Sequence, residues 1–292
     1  QLRILALEKA SQARQLLGKA RLGIVGSPSD WLISSDVDKE AVAGRLGITL
    51  EDIPMEELLD RYNSMEEEAD EAFKAVSSRE DGPLAPIVTD SVPGAYRIYK
   101  ALKSIIGEHG LSGLTIRCFD LLSAVRNTGC LALAKLNSEG FVAGCEGDIP
   151  AMLSMMIGRA VTGVSGFQAN PSSINPESGE IVFSHCTVPL DMVDRFGLDT
   201  HFESGIGVGI RGRLPEGPVT VFKVSGDLSR HFFCEGQLLR CESKPNLCRT
   251  QAVLRLPAEA SRYFLTDPIG NHHIILPGHH QALLKELLNS IN

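Results

Sequence analysis

The chain has no CxxC pair, no GxGxxG at its first strand and turn, no apolar run of about 18 residues and no signal-peptide start. Each absence removes a class of protein. Its seven cysteines are Cys118, Cys130, Cys145, Cys186, Cys234, Cys241 and Cys248. The number is odd and no two are spaced as a knuckle, so neither a disulfide scaffold nor a zinc finger is expected. Free, buried thiols in a reducing, cytoplasmic setting are the expectation. Basic residues are outnumbered, 28 against 36, which gives a net charge of −8. That balance argues against a nucleic-acid partner and against an anionic membrane surface. No stretch is long enough to span a bilayer. The first residue is Gln1, and the chain enters directly into the helix-like "QLRILALEKASQARQLL". A longer or processed parent protein is therefore expected.

What is present is a chain of 292 residues with 43% hydrophobic content, enough for one large or two ordinary domains. From about Leu22 to Val161, short apolar strands alternate with helical stretches. "ARLGIVGSPSDWLI" is a strand and a turn, and "DKEAVAGRLG" a helix closed by glycine. "ITLEDI", "GLTIRCF" and "FVAGCE" are further strands. "MEELLDRYNSMEEEADEAFKAVSS", "AYRIYKALKSIIGEHG", "DLLSAVRNTGCLALAKLNSEG" and "DIPAMLSMMIGRAVTG" read as helical, and "REDGPLAPIVTDSVPG" as a loop. This rhythm predicts an α/β domain with a Rossmann-like parallel sheet. "GIVGSP" lacks the full dinucleotide fingerprint, so no nucleotide cofactor is expected.

After Gly163 the texture changes to short strand-like pieces divided by Gly, Pro and Asn, ending in the helix "HHQALLKELLNSI". That pattern predicts an antiparallel, β-rich, barrel-like domain. The expected division is 1–162 and 163–292.

The chemistry concentrates in three segments. In "FVAGCEGDIPAML", Glu146 ends a buried strand, where an unpaired carboxylate is costly. Ligands of open α/β sheets bind beyond such strand ends. Asp148 suits the N-cap of the next helix, with Pro150 in its first turn. In "IVFSHCTVP", His185 follows an apolar run, with Cys186 facing the other way if the segment is a strand. In "GNHHIILPGHH", His272 and His273 also face opposite sides, and His279 and His280 begin the last helix. One carboxylate and two imidazoles from distant segments form an oxygen/nitrogen set that suits Mn²⁺ or a similar divalent ion.

Together "CEGDIPAMLSMM", "HCTVP" and "GNHHIILPG" resemble motifs of the L-fucose/L-arabinose isomerase superfamily, closest in style to the fucose isomerase-like proteins. "GSPSDWLI" and "ESGIGVGIRGRLPEGPVT" extend the resemblance, which runs from about residue 20 to the end. It implies a metal-dependent aldose–ketose isomerase acting through an enediol on a small sugar. It also implies that an N-terminal domain is missing, and that the protein forms a trimeric or hexameric homo-oligomer. By position, Glu146 matches the metal-binding and acid/base glutamate. His185 matches a histidine of the site, and His272, ahead of His273, the late metal-proximal one. The second acidic ligand falls on Asn170, an amide that can coordinate a hard cation but cannot take a proton. The resemblance therefore leaves as alternatives an altered or inactive sugar-binding relative, or a lyase or epimerase of a sugar derivative.

Overall fold

Strands that are apolar on both faces need cover on both faces, and "RLGIV" and "GLTI" are of this kind. In the computed structural model, which describes residues 2–65 and 84–291, they lie side by side in a four-stranded sheet. Strand β1 (Arg21–Val25) pairs in parallel with β2 (Thr49–Ile53) and β3 (Gly113–Ile116), and β3 pairs in parallel with β4 (Val142–Gly144). The order is β2-β1-β3-β4.

Helix α1 spans Leu2–Leu17. Helix α2 (Lys39–Leu46) begins at Asp38, which accepts the Ala41 N–H, and stops at Gly47, whose φ of 74° suits glycine. Helix α3 covers Met55–Ser64; the acidic run expected to prolong it lies outside the described residues. Helix α4 (Pro86–His109) corrects the loop that the sequence predicts over residues 86–94. Pro86 sits in the first turn, where its missing N–H costs nothing. Pro93 lies inside the helix and leaves the Thr89 carbonyl without its helical donor. Burial of Val88, Ala95, Tyr96, Tyr99 and Leu102 outweighs that loss. The stretch after β3 splits into α5 (Asp120–Ala124) and α6 (Cys130–Ser138).

Helix α7 (Ile149–Thr162) positions the site. Every residue from Ile149 to Gly158 is buried, as expected of a helix apolar all round and covered on all sides. One side meets the sheet and α1, and the other meets a barrel.

That barrel is closed by six antiparallel strands in the order β10-β11-β6-β5-β12-β9. They are β5 (Phe167–Asn175), β6 (Glu180–His185), β9 (Gly217–Val224), β10 (His231–Glu242), β11 (Thr250–Arg255) and β12 (His273–Pro277). Along β12, Ile275 joins one core cluster with Phe167, Phe183 and Val221. Ile274 and Leu276 join the other, with Phe222, Met152, Leu153 and Ile157. The period-2 alternation thus points one set into the barrel and the other onto α7. A separate two-stranded sheet pairs β7 (Arg195–Asp199) with β8 (Gly209–Arg213). Strand β7 and helix α8 (Ala258–Thr266) were not anticipated, and α9 (Gln281–Asn289) closes the chain as read.

The end of α4 is pinned by His109. Its Nδ1 lies 2.6 Å from Glu51 of β2 and its Nε2 3.0 Å from Glu57 of α3. The hydrogen bond to Glu51, then that to Glu57, raises the imidazole pKa. A raised folded-state value gives stability that is complete below the unfolded value and fades as pH climbs through the folded one. His109→Gln should therefore lower the melting temperature more at about pH 5.5 than at about pH 9.5. Equal losses at both pH values in paired thermal melts would show that the ring is neutral in the fold.

Candidate metal centre

Beyond β4 the chain must turn sharply to start α7. Glu146 and Gly147 take it through two left-handed positions in succession, φ 62° and 66°. For glycine this is free, but for glutamate it costs on the order of 1–3 kcal/mol. A side chain on Gly147 would collide with the backbone of Ser27 and Pro28, so the turn is pressed against the preceding loop. The turn is held by Gly147 N–H donating to Ile116, Asp148 N–H to Cys145, and Ser29 N–H to the Glu146 carbonyl.

The strained turn aims the Glu146 carboxylate at two rings from the barrel. Its Oε1 lies 3.5 Å from His185 Nε2, at the end of β6, and 3.3 Å from His272 Nε2, just before β12. The three donor atoms lie within 4.8 Å of one another. The Glu146 side chain is 13% exposed, His185 5% and His272 fully buried. The other carboxylate oxygen, Oε2, accepts the indole N–H of Trp31 at 2.8 Å.

Behind the cluster lies Asp148, which does two jobs. It caps α7 by accepting the Ala151 N–H at 2.7 Å, as its position in the sequence predicts. It also lies 2.9 Å from His272 Nδ1 and 3.2 Å from the Nζ of Lys223, a lysine of β9 with no exposed side-chain surface. Burial opposes ionisation of Asp148, but Lys223 and His272 outweigh it and lower its pKa. Burial likewise pulls Lys223 down against the attraction of Asp148.

The two rings are prepared differently. His272 Nδ1–H donates to the Asp148 carboxylate, so the buried Nε2 points at Glu146. His185 instead accepts the Thr187 N–H at Nδ1, at 3.3 Å, which leaves the proton of its neutral ring on Nε2. With these residues alone, burial disfavours charge on His272, but Glu146 and then Asp148 push its pKa up to about 9. Burial is also the first influence on Glu146, yet His272 and His185 hold its carboxyl far below the usual range. Burial keeps His185 below its ordinary value.

This donor set fits a divalent cation. With bonds of about 2.1 Å, neighbouring ligand atoms of one ion lie about 3.0–3.4 Å apart, close to the spacings around Oε1. Glu146 and His272 would hold the ion, with Asp148 orienting His272 from behind. His185 would add a third donor only as its other tautomer, with the proton moved to Nδ1 and the Thr187 N–H contact given up. The thiol beside Glu146 does not compete. Cys145 touches Cys118 at 3.0 Å between sulfurs, and that contact, with burial, raises its pKa so that it stays protonated. All seven cysteines are free.

Of the four site residues expected from sequence, Glu146, His185 and His272 converge. Asn170 lies on β5 opposite Ser184, the residue before His185, and is half-buried. His273 points away, with Nε2 2.8 Å from the Tyr263 hydroxyl. His279 is exposed. Sequence reasoning passed over Trp31, Lys223 and the second role of Asp148. For Lys223 a signal existed, a lone cation inside the apolar strand "VTVFKV".

Fold and site together define a class: a parallel α/β sheet packed on a closed antiparallel barrel, with a carboxylate–imidazole cluster suited to a divalent cation between them. No protein-family model matches the chain. Over 271 residues it is 28% identical to a protein named sulfoquinovose isomerase from Clostridium sp. (strain MSTE9). That similarity covers 89% of this chain, which spans only 60% of the length of the Clostridium protein.

Removing one partner of a buried ion pair strands the other. Lys223→Met should therefore cost about 3–5 kcal/mol in urea unfolding. A loss below about 1 kcal/mol would mean that Asp148 is neutral in the fold.

Proposed function

We propose that this chain carries the metal centre of an aldose–ketose sugar isomerase, with sulfoquinovose the first substrate to test. The observation that carries the reading is the convergence of Glu146, His185 and His272 from three distant segments on a space the size of one cation. The similarity to a protein named as a sugar isomerase supports it. The earlier resemblance to the fucose isomerase-like proteins points the same way, including manganese as the ion and a homo-oligomer as the working form. On this reading residues 1–162 supply the acidic oxygen and residues 163–292 the two rings.

A divalent ion bound here supplies Lewis-acid chemistry, polarising a sugar carbonyl and acidifying the neighbouring hydroxyl. The chain's own residues do the rest. Glu146 takes the proton from C2 and returns it to C1 across an enediol, while the proton of the O2 hydroxyl passes to O1. The neighbours that keep it ionised also make it a weak base, so a proton taken up is readily released. Asn170 cannot share that duty, because its amide takes no proton. Glu146 therefore carries the proton in both directions. Asp148 keeps His272 in one tautomer, and the burial of both rings excludes water from the reacting atoms.

Asn170 also favours a second reading, a relative that binds a sugar without turning it over. NMR in D₂O with Mn²⁺ and sulfoquinovose separates the two. Isomerisation should place solvent deuterium at C2 of the aldose and C1 of the ketose, and Glu146→Gln should slow this by about 10²–10⁴-fold. Saturable sugar binding without exchange would favour the second reading. Exchange undiminished by Glu146→Gln would remove Glu146 from the chemistry.

A further inference from the structure

Residues 27–33, "SPSDWLI", form a strap across the site. Ser29 N–H donates to the Glu146 carbonyl at 3.1 Å. Arg117, at the end of β3, donates to the Ser27 hydroxyl and the Pro28 carbonyl and pairs with Asp30 at 2.8 Å. Ile33 N–H donates to the Asn271 side chain at 2.6 Å, one residue before His272. The strap is thus tied to both segments that bring the carboxylate and the buried ring together. Trp31 stands at its centre. Its indole N–H holds Glu146 Oε2, and its ring packs edge-on against Phe119, whose ring in turn meets that of His201. Even so, Trp31 remains 49% exposed. An aromatic ring anchored this firmly and left half exposed offers apolar surface to solvent beside a polar site.

We propose that Trp31 is both the positioning residue of Glu146 and the platform for the sugar. Its N–H fixes the carboxylate, and its open face takes the C–H face of the substrate. The two tasks use different parts of one side chain, so different substitutions separate them. This inference rests on the metal-centre reading above.

Trp31 is the one tryptophan of the chain, so its emission reports this site alone. Titration of the chain with Mn²⁺, then with sulfoquinovose at saturating Mn²⁺, is followed in parallel by fluorescence and calorimetry. Both additions should change the emission saturably, with the midpoints seen by calorimetry. Trp31→Phe keeps a ring and loses the N–H. It should weaken Mn²⁺ about tenfold and leave sugar affinity at saturating metal within about twofold. Trp31→Ala should weaken both, the sugar by at least about tenfold. A merely structural role would lower the melting temperature without this split. Sugar that binds by calorimetry with unchanged emission, or binds Trp31→Ala as well as the native chain, overturns the proposal and leaves the metal centre standing. A chain that binds neither Mn²⁺ nor sugar overturns the metal-centre reading, and this inference with it.

Discussion

The carboxylate of Asp148 is the point through which sheet and barrel are joined. It begins α7 on the sheet side, and from the barrel it meets Lys223 of β9 and His272 ahead of β12. Each ion taken from water into such a setting costs several kcal/mol. The cost is met only because a helix N-terminus, an ammonium and an imidazole all converge on the same two oxygens. A pair of apolar residues would fill this space at less expense. What they would not supply is direction. Asp148 fixes which nitrogen of His272 carries a proton and therefore which one faces Glu146. The network is better understood as setting register between two layers than as a source of stability.

The same logic governs the turn one residue earlier. A glutamate in a left-handed conformation is strained, and the backbone would adopt it more cheaply with glycine. Three main-chain hydrogen bonds and the pressed loop of residues 27–28 hold it there. The strain has a geometric return. It folds the side chain back over the strand end toward the barrel, where an ordinary extended residue would not reach. Gly147 completes the bend because any side chain there would strike the loop.

Much of this architecture is legible in the sequence wherever its cause is local. The glycine stop of α2, the aspartate cap of α7 and the change from alternating strand and helix to short turn-divided strands all depend on neighbours in the chain. So does the oddity of Glu146, because the cost of a carboxylate at a buried strand end can be judged from its flanks. What was not legible depends on distant partners. Residues 86–94 contain two prolines and read as loop, yet burial of their apolar face makes them helix. Trp31 lies 115 positions from the carboxylate it holds, and Lys223 lies 75 from its aspartate. Neither spacing has a local signature. Strand β7, "RFGLD", is short and carries charge at both ends, so its pattern resembles a turn until β8 pairs with it.

Sequence also treats His185 and His272 as equivalent rings, and the fold makes them unequal. His272 is backed by a carboxylate and turns Nε2 toward Glu146, the arrangement of a ligand already oriented. His185 is backed by a main-chain N–H and presents a protonated Nε2, the arrangement of a donor. Thr187, which sets that tautomer, is itself tied through its hydroxyl to the Cys130 carbonyl at the start of α6. Rotating the His185 proton to Nδ1 would set two N–H groups against each other. One ring is thus oriented from behind by a carboxylate and the other placed to donate a hydrogen bond, on either side of a single carboxylate oxygen.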